Sequence, residues 1–234
     1  MRSIKHGVVA VALAAVLASC SDDTNGSDKP VDTKDTPTTA ASQCQSPVDS
    51  GDEGLAPGCW TLDIAGGPRA ELDLPAGFFG SDWGVWIDPP KREDWGNIAL
   101  RETGDVYRDP CKRVVGPSTT GPTVEDFTRA LVAQKLTRTT APVPVEVDGH
   151  AGLYVEVSVP AAVDLSGCED EQLVLWQGPG DEPTMISHEF TRRYWVLDVD
   201  GQRVVLVVTT YPHATKKAVE LLSGIVESAT FTEA

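Results

Sequence analysis

The run Val204-Val205-Leu206-Val207-Val208 constrains the fold more than any other stretch, because it is apolar at every position and offers no face to water. A strand of that pattern is covered on both sides, which calls for the centre of a sheet sandwiched by helices or other chain. It is the return limb of a hairpin in which Tyr194 to Asp200 runs against Gln202 to Thr210. The limbs meet at Asp200-Gly201, where glycine accepts the positive backbone angle of a tight turn.

Other segments read as strands that would surround this one. From Ala151 to Val159, Leu153, Val155, Val157 and Val159 point one way and Tyr154, Glu156 and Ser158 the other, so the register is well specified. Val143 to Val147 precedes it through a second Asp-Gly pair, Asp148-Gly149. Half-buried strands are also expected at Trp60 to Ile64, Ala70 to Leu74, Gly84 to Ile87 and Asn97 to Arg101, with another at Gln172 to Gln177. Pro75-Ala76-Gly77, Asp88-Pro89-Pro90 and the loop Gly178 to Pro183 are the breaks between them. The spacing of Val124, Phe127 and Leu131 behind Pro122-Thr123 predicts a helix from about Thr123 to Lys135. Ala218, Leu221, Leu222 and Ile225 predict a second from Thr215 to Glu227, followed by a closing strand at Ala229 to Thr232. Lys216 and Lys217 stand in the first turn of that helix, where a cation costs about 0.3–1 kcal/mol at low salt, and are read as a solvated surface.

The fold class is therefore α+β, an antiparallel β-sheet flanked by helices. Leu72-Asp73-Leu74-Pro75-Ala76-Gly77-Phe78, Val147-Asp148-Gly149-His150-Ala151-Gly152-Leu153-Tyr154, and the span from Tyr194 through Phe231 resemble the Mog1/PsbP-like domains of actinobacterial lipoproteins. The resemblance implies such a sandwich, and it implies a binding or assembly module rather than a reaction.

The amino terminus carries an address. Arg2 and Lys5 precede an uncharged, largely apolar run from Gly7 to Leu17 that is too short to span a bilayer. That is the form of a secretory signal. Leu17-Ala18-Ser19-Cys20 resembles the bacterial lipobox, which implies cleavage ahead of Cys20 and a diacylglyceryl and palmitate anchor on its thiol. Two or more acyl chains anchor stably where one holds only marginally. Residues 1–19 are thus expected as signal peptide and 20–43 as a linker, because Ser21 to Gln43 holds almost no large apolar side chain with which to offset the entropy of ordering. Residues 44–234 are expected as a single domain on the outer face of the cell membrane.

Charge narrows the partners. The chain carries a formal charge of −16, and loss of Arg2 and Lys5 with the leader would deepen it to −18. Such a surface is repelled by phosphate backbones and anionic head groups, so nucleic acid is excluded and the Cys20 lipid is the expected membrane contact.

Four cysteines remain beyond the address, Cys44, Cys59, Cys111 and Cys168, in a compartment where disulfides persist. They allow three connectivities. The preferred one is Cys44–Cys59 with Cys111–Cys168, the first closing the loop between linker and core, the second tying the approach to the first helix onto a loop after a strand. Neither a C-x-x-C pair nor clustered histidine supports zinc.

Motifs of catalysis are absent: the chain has no G-x-S-x-G elbow, H-E-x-x-H, phosphate-cradling glycine loop or dinucleotide fingerprint. His150, His188 and His213 read as surface or turn residues, and Ser187-His188-Glu189 makes no triad because strand neighbours point to opposite faces. Glu169-Asp170-Glu171 lacks the alternating spacing and turn glycine of a calcium loop. No cofactor or metal is expected. Phe78, Phe79, Trp83, Trp86 and Trp95 are different, since they crowd into one irregular stretch. Aromatic walls suit a ligand cleft, and this stretch is the candidate site, with Asp82, Arg92 and Asp94 to orient what binds there; the competing reading is a loop-covered satellite core, in which the bulky side chains pin an irregular segment. The expectation is a lipid-anchored accessory module without catalysis, contacting a protein or small ligand. A carrier of an apolar ligand such as lipid is the alternative, and an envelope hydrolase the third reading.

Overall fold

The computed structural model describes residues 44–47, 54–87, 91–112, 120–178 and 183–232. Cys20, with the leader and the linker, lies outside the described residues. The order of elements is β1 (Gly58–Asp63), β2 (Arg69–Leu74), β3 (Phe78–Ser81), β4 (Gly84–Ile87), β5 (Gly96–Glu102), β6 (Asp105–Val106), α1 (Val124–Val132), β7 (Arg138–Thr139), β8 (Val143–Val147), β9 (His150–Ser158), β10 (Leu173–Gln177), β11 (Pro183–Ile186), β12 (Thr191–Val199), β13 (Gln202–Thr210), α2 (Lys216–Glu227) and β14 (Thr230–Thr232).

An eight-stranded sheet in the order β3-β4-β5-β13-β12-β9-β7, with β8 also on β9, forms the middle layer, and its pairings are antiparallel. Its centre is β13, as the uninterrupted apolar run requires. Val204, Leu206 and Val208 enter one core, and Val205 and Val207 the other. The first core lies under the three-stranded sheet β1-β2-β14 and helix α2, with Trp60, Leu72, Leu74, Leu222 and Val226 closing over Leu100, Trp195 and Leu197. The second lies under α1 and the sheet β11-β10-β6, where Phe127, Leu131, Leu173, Trp176 and Ile186 meet Val155, Val157, Tyr194 and Val196. The fold is α+β, with each face of the sheet flanked by one helix and one small sheet.

Strand alternation gave the facing correctly but not the partner. β1 pairs with β2, and β2 on its other edge with β14, outside the main sheet. Helix α1 also ends earlier than the spacing predicts, at Val132. Beyond it Gln134 turns inward and its amide donates to the Tyr107 and Leu175 carbonyls at 2.8 and 2.6 Å, which draws the chain off the helix axis. Both helices start on a threonine: the Thr123 hydroxyl accepts from Asp126 N at 3.1 Å and that of Thr215 from Ala218 N at 3.2 Å. The two Asp-Gly turns have positive φ at both residues, as two-residue hairpin loops require.

The bridges are Cys44–Cys59 and Cys111–Cys168. The first lays the chain around Gln45 along β1, where Gln45 N donates to the Cys59 carbonyl and Thr61 N to that of Gln45. The second sits at the margin of the core beneath α1, with Cys168 buried and Val174 N bonded to the Pro110 carbonyl. Disulfides of this kind belong to an extracytoplasmic compartment.

Candidate functional site

Register places the site. Paired residues in an antiparallel sheet stand side by side on one face, so Phe79, Trp86, Asn97, Thr209 and Arg192 form a single row across β3, β4, β5, β13 and β12. The next row on that face holds Ala99, Val207 and Tyr194, and the one after it Arg101, Val205 and Val196. These rows lie on the face that carries the second core. Towards β9 they are apolar and covered. Towards β4 and β5 they turn polar and aromatic, and there a cleft of about 180 Å³ opens.

Trp83, Trp95, Asn97, Ala99, Arg101, Thr184, Phe190, Arg192, Val207 and Thr209 line the cleft. Trp83 comes from the tip of the β3–β4 hairpin, is 43% exposed and stacks on Trp86 with ring centroids 4.9 Å apart and planes 7° from parallel. Phe79 continues the stack on the far side of Trp86 at 6.1 Å. Gly84 makes the turn possible: its φ is +143°, and a Cβ there would collide with the Ile98 carbonyl oxygen. Trp95 reaches the cleft from the other end and packs at 5.9 Å on Phe190 and 5.3 Å on Tyr211.

The expected aromatic set thus divides. Trp83 and Trp95 line the cleft, while Trp86 and Phe79 back Trp83 as a stacked support. Phe78 does not belong to the site: it is 1% exposed and packed in the first core, because alternation along β3 sends it to the opposite face from Phe79. Two of the polar residues expected to help are engaged elsewhere. The Arg92 guanidinium lies 4.2 Å over the Tyr211 ring and pairs with Glu189 at 3.3 Å, and Asp94 accepts a short hydrogen bond from the Thr215 hydroxyl at the start of α2.

The polar groups that face the cleft come instead from the sheet. Asn97, Thr184 and Thr209 are all buried. Arg192 makes no ion pair among the described residues, and its Nε, hidden from solvent, meets no acceptor in hydrogen-bond geometry. The Tyr194 hydroxyl, one row away, is likewise hidden and without such a partner. Burial raises the Tyr194 pKa, and the Arg192 and Arg101 guanidiniums pull the other way, so the phenol stands beside these cations in its neutral form, its oxygen turned to them as an acceptor. A hollow of about 590 Å³ adjoins the cleft at Arg101 and is bordered by Asp63, Asp82 and Glu102.

Nothing in the aromatic stretch announced Arg101 or Arg192. The available signal was alternation: in Asn97-Ile98-Ala99-Leu100-Arg101 the polar ends share a face opposite two core residues, and in Arg192-Arg193 one arginine must fall on each face.

The histidines are dispersed. His150 packs edge-on to Phe231 at 5.4 Å, His188 Nε2 lies 2.9 Å from the Val163 carbonyl oxygen, and His213 is exposed. Glu189 is spent on Arg92 rather than on His188. Glu169, Asp170 and Glu171 form an exposed turn.

A scan against protein-family models finds no match, and a search of curated proteins finds none either. Among solved structures the chain is similar to LpqN, involved in cell envelope biogenesis of Mycobacterium tuberculosis, at 13% identity and a TM-score of 0.35 over 72% of this chain and 86% of that one. It is also similar to cyanobacterial PsbP from Synechocystis, at 15% identity and a TM-score of 0.35 over 78% of this chain and 96% of that one.

Proposed function

We propose that the protein is a non-catalytic binding module held on the outer face of the cell membrane by a lipid on Cys20, and that it takes its ligand in the cleft between Trp83 and Trp95. The observation that carries this reading is the cleft itself: aromatic walls over buried polar side chains, set on a rigid sheet. Its volume, about 180 Å³, falls below the roughly 300–1,000 Å³ of sites for drug-sized molecules. The ligand is therefore small, or a single group projecting from something larger. Among the described residues no helix is long and apolar enough to cross a membrane.

Two experiments test the two halves. A fragment screen followed by protein NMR should give hits that shift the Trp83 and Trp95 indole signals and displace one another. Hits scattered over other surfaces, with both indoles silent, would remove the cleft reading. For the anchor, Cys20→Ala in an actinobacterial host should leave the protein unlipidated and released from the membrane fraction. Unchanged processing and membrane retention would sink the assignment.

A further inference from the structure

We infer that the cleft ligand is an organic anion whose carboxylate, or an equivalent acid group, pairs with Arg192 while a compact apolar body rests against Trp83, Trp95 and Phe190. The inference rests on the cleft reading and goes beyond it by assigning the ligand its charge.

Arg192 is half-buried, and its Nε is hidden from water. A cation withdrawn from water is costly unless it is paired and hydrogen-bonded. Arg192 stands in the row Asn97–Thr209–Arg192 on the inner side of the cleft, with a solvent-hidden Nε that lacks an acceptor. Most buried polar groups find a partner, and Arg192 lines the cleft without an ion pair among the described residues, so the part of its guanidinium that borders the cleft points to a group that arrives from outside. A neutral ligand would satisfy the donor and leave the charge, whereas a carboxylate satisfies both in the planar geometry that arginine favours.

The neighbours agree with that assignment. The neutral Tyr194 hydroxyl, on the same face one row away, lies beside the guanidinium and has an O–H to offer. Thr209 and Asn97 are further hydrogen-bonding groups in Arg192's own row. Among the described residues the acidic side chains stand outside this cluster. Asp63, Asp82 and Glu102 border the adjoining hollow, and Glu189 is bound to Arg92. Arg101 is shared between cleft and hollow, so Arg192 is the cation on which selectivity turns. On a chain of formal charge −16, a cation held inside a cleft also selects by contrast: the surface repels anions and this one recess receives them.

The same logic disfavours a wholly apolar cargo. A hydrocarbon filling the cleft would leave Arg192 sealed from water with no counter-charge.

The test uses probes that differ in one group. Benzoate and benzamide share a ring and a size, and hexanoate offers the same acid on an aliphatic body. Each would be titrated into the protein while the Trp83 and Trp95 indole signals and the arginine Nε–H signals are followed by NMR. A charge-assisted bond at this site should make benzoate bind at least about tenfold more tightly than benzamide, and Arg192→Gln should abolish that preference. Arg192→Lys should restore part of it. Either acid may prevail over the other without harm to the proposal, and their ratio tells whether the body is a ring or a chain.

Equal binding of benzoate and benzamide, both reporting at the indoles, would overturn the charge assignment while leaving the cleft reading intact. Silence of both indoles with every probe would overturn the cleft reading and the assignment together. Should Arg192→Gln fail to fold, the wild-type preference for benzoate over benzamide still decides the matter.

Discussion

Along β5, β13 and β12 the two faces of the main sheet are written in alternate residues of the same strands, yet they are built to different ends. On one face Ile98, Leu100, Val204, Leu206, Val208, Trp195 and Leu197 are all buried, and α2 with β1-β2-β14 seals them. On the other, the apolar rows pass into buried Thr209 and Asn97 and half-buried Arg101 and Arg192 at the cleft. A strand's two faces can be specified independently because side chains alternate. The closed face carries enough apolar packing for the opposite face to hold polar groups that stability alone would disfavour.

That comparison predicts where truncation hurts. Trp195→Ala, on the closed face, should cost about 3–5 kcal/mol in denaturant unfolding, since it removes a ring 1% exposed at the centre of the first core. A loss under about 1 kcal/mol there would mean that the closed face is not the one holding the fold. Next comes the bridge on the second face. Replacing Cys111 and Cys168 together by serine removes a link across 57 residues and should cost about 2–4 kcal/mol. The loss should appear mainly around α1 and β10 in hydrogen exchange. Uniform loss of protection would show that the two faces do not unfold as separable units.

A smaller effect belongs to the start of α1. The Thr123 hydroxyl accepts from the Asp126 amide, and hydrogen bonding to Thr123, with Arg129 also contributing, holds the Asp126 carboxyl below its ordinary range. Thr123→Ala should cost about 1 kcal/mol. The sign of the pH effect follows from the depressed folded value. The stabilisation is present above the unfolded carboxylate pKa of about 3.9 and is lost as pH falls through the folded one. In the Thr123→Ala variant the Asp126 titration should move up towards the ordinary range, which an NMR pH series reads directly. Because Arg203 of β13 also grips this corner, donating to the Gly121 and Thr123 carbonyls, the rest of α1 should keep its place.

Much of this architecture was legible beforehand because it is local. The full burial of the apolar run in β13, the two facings of β9, the Asp-Gly hairpins and the Thr123 cap each follow from a few adjacent residues, and the structure has all of them. The pairing of β1 and β2 was not legible, since alternation tells a strand which side to bury and nothing about which strand to join. Nor was β3, whose Phe78-Phe79 reads as one aromatic pair until pleating divides it between core and stack. The cleft is harder still. Asn97, Thr209 and Arg192 become neighbours only through the pairing of β5 with β13 and of β13 with β12, so their shared row exists in the sheet and nowhere in the linear order.

The smallest stability change is expected where the functional change is large. Trp83 stands at a hairpin tip, 43% exposed, and its principal packing is the stack on Trp86. An aromatic pair of this kind contributes about 0.5–1.5 kcal/mol beyond area burial, and an exposed one sits at the low end. Trp83→Ala should therefore melt close to the wild type, while benzoate binding falls because the cleft has lost a wall. Trp95→Ala is the informative companion. Trp95 is half-buried between Phe190 and Tyr211, so its loss should lower stability more and binding by a similar factor. If both variants lost stability in proportion to binding, the tryptophans would be acting as core and the open end would be another sealed face. If Trp83→Ala lost binding alone, the contrast between the faces would be functional as well as geometric.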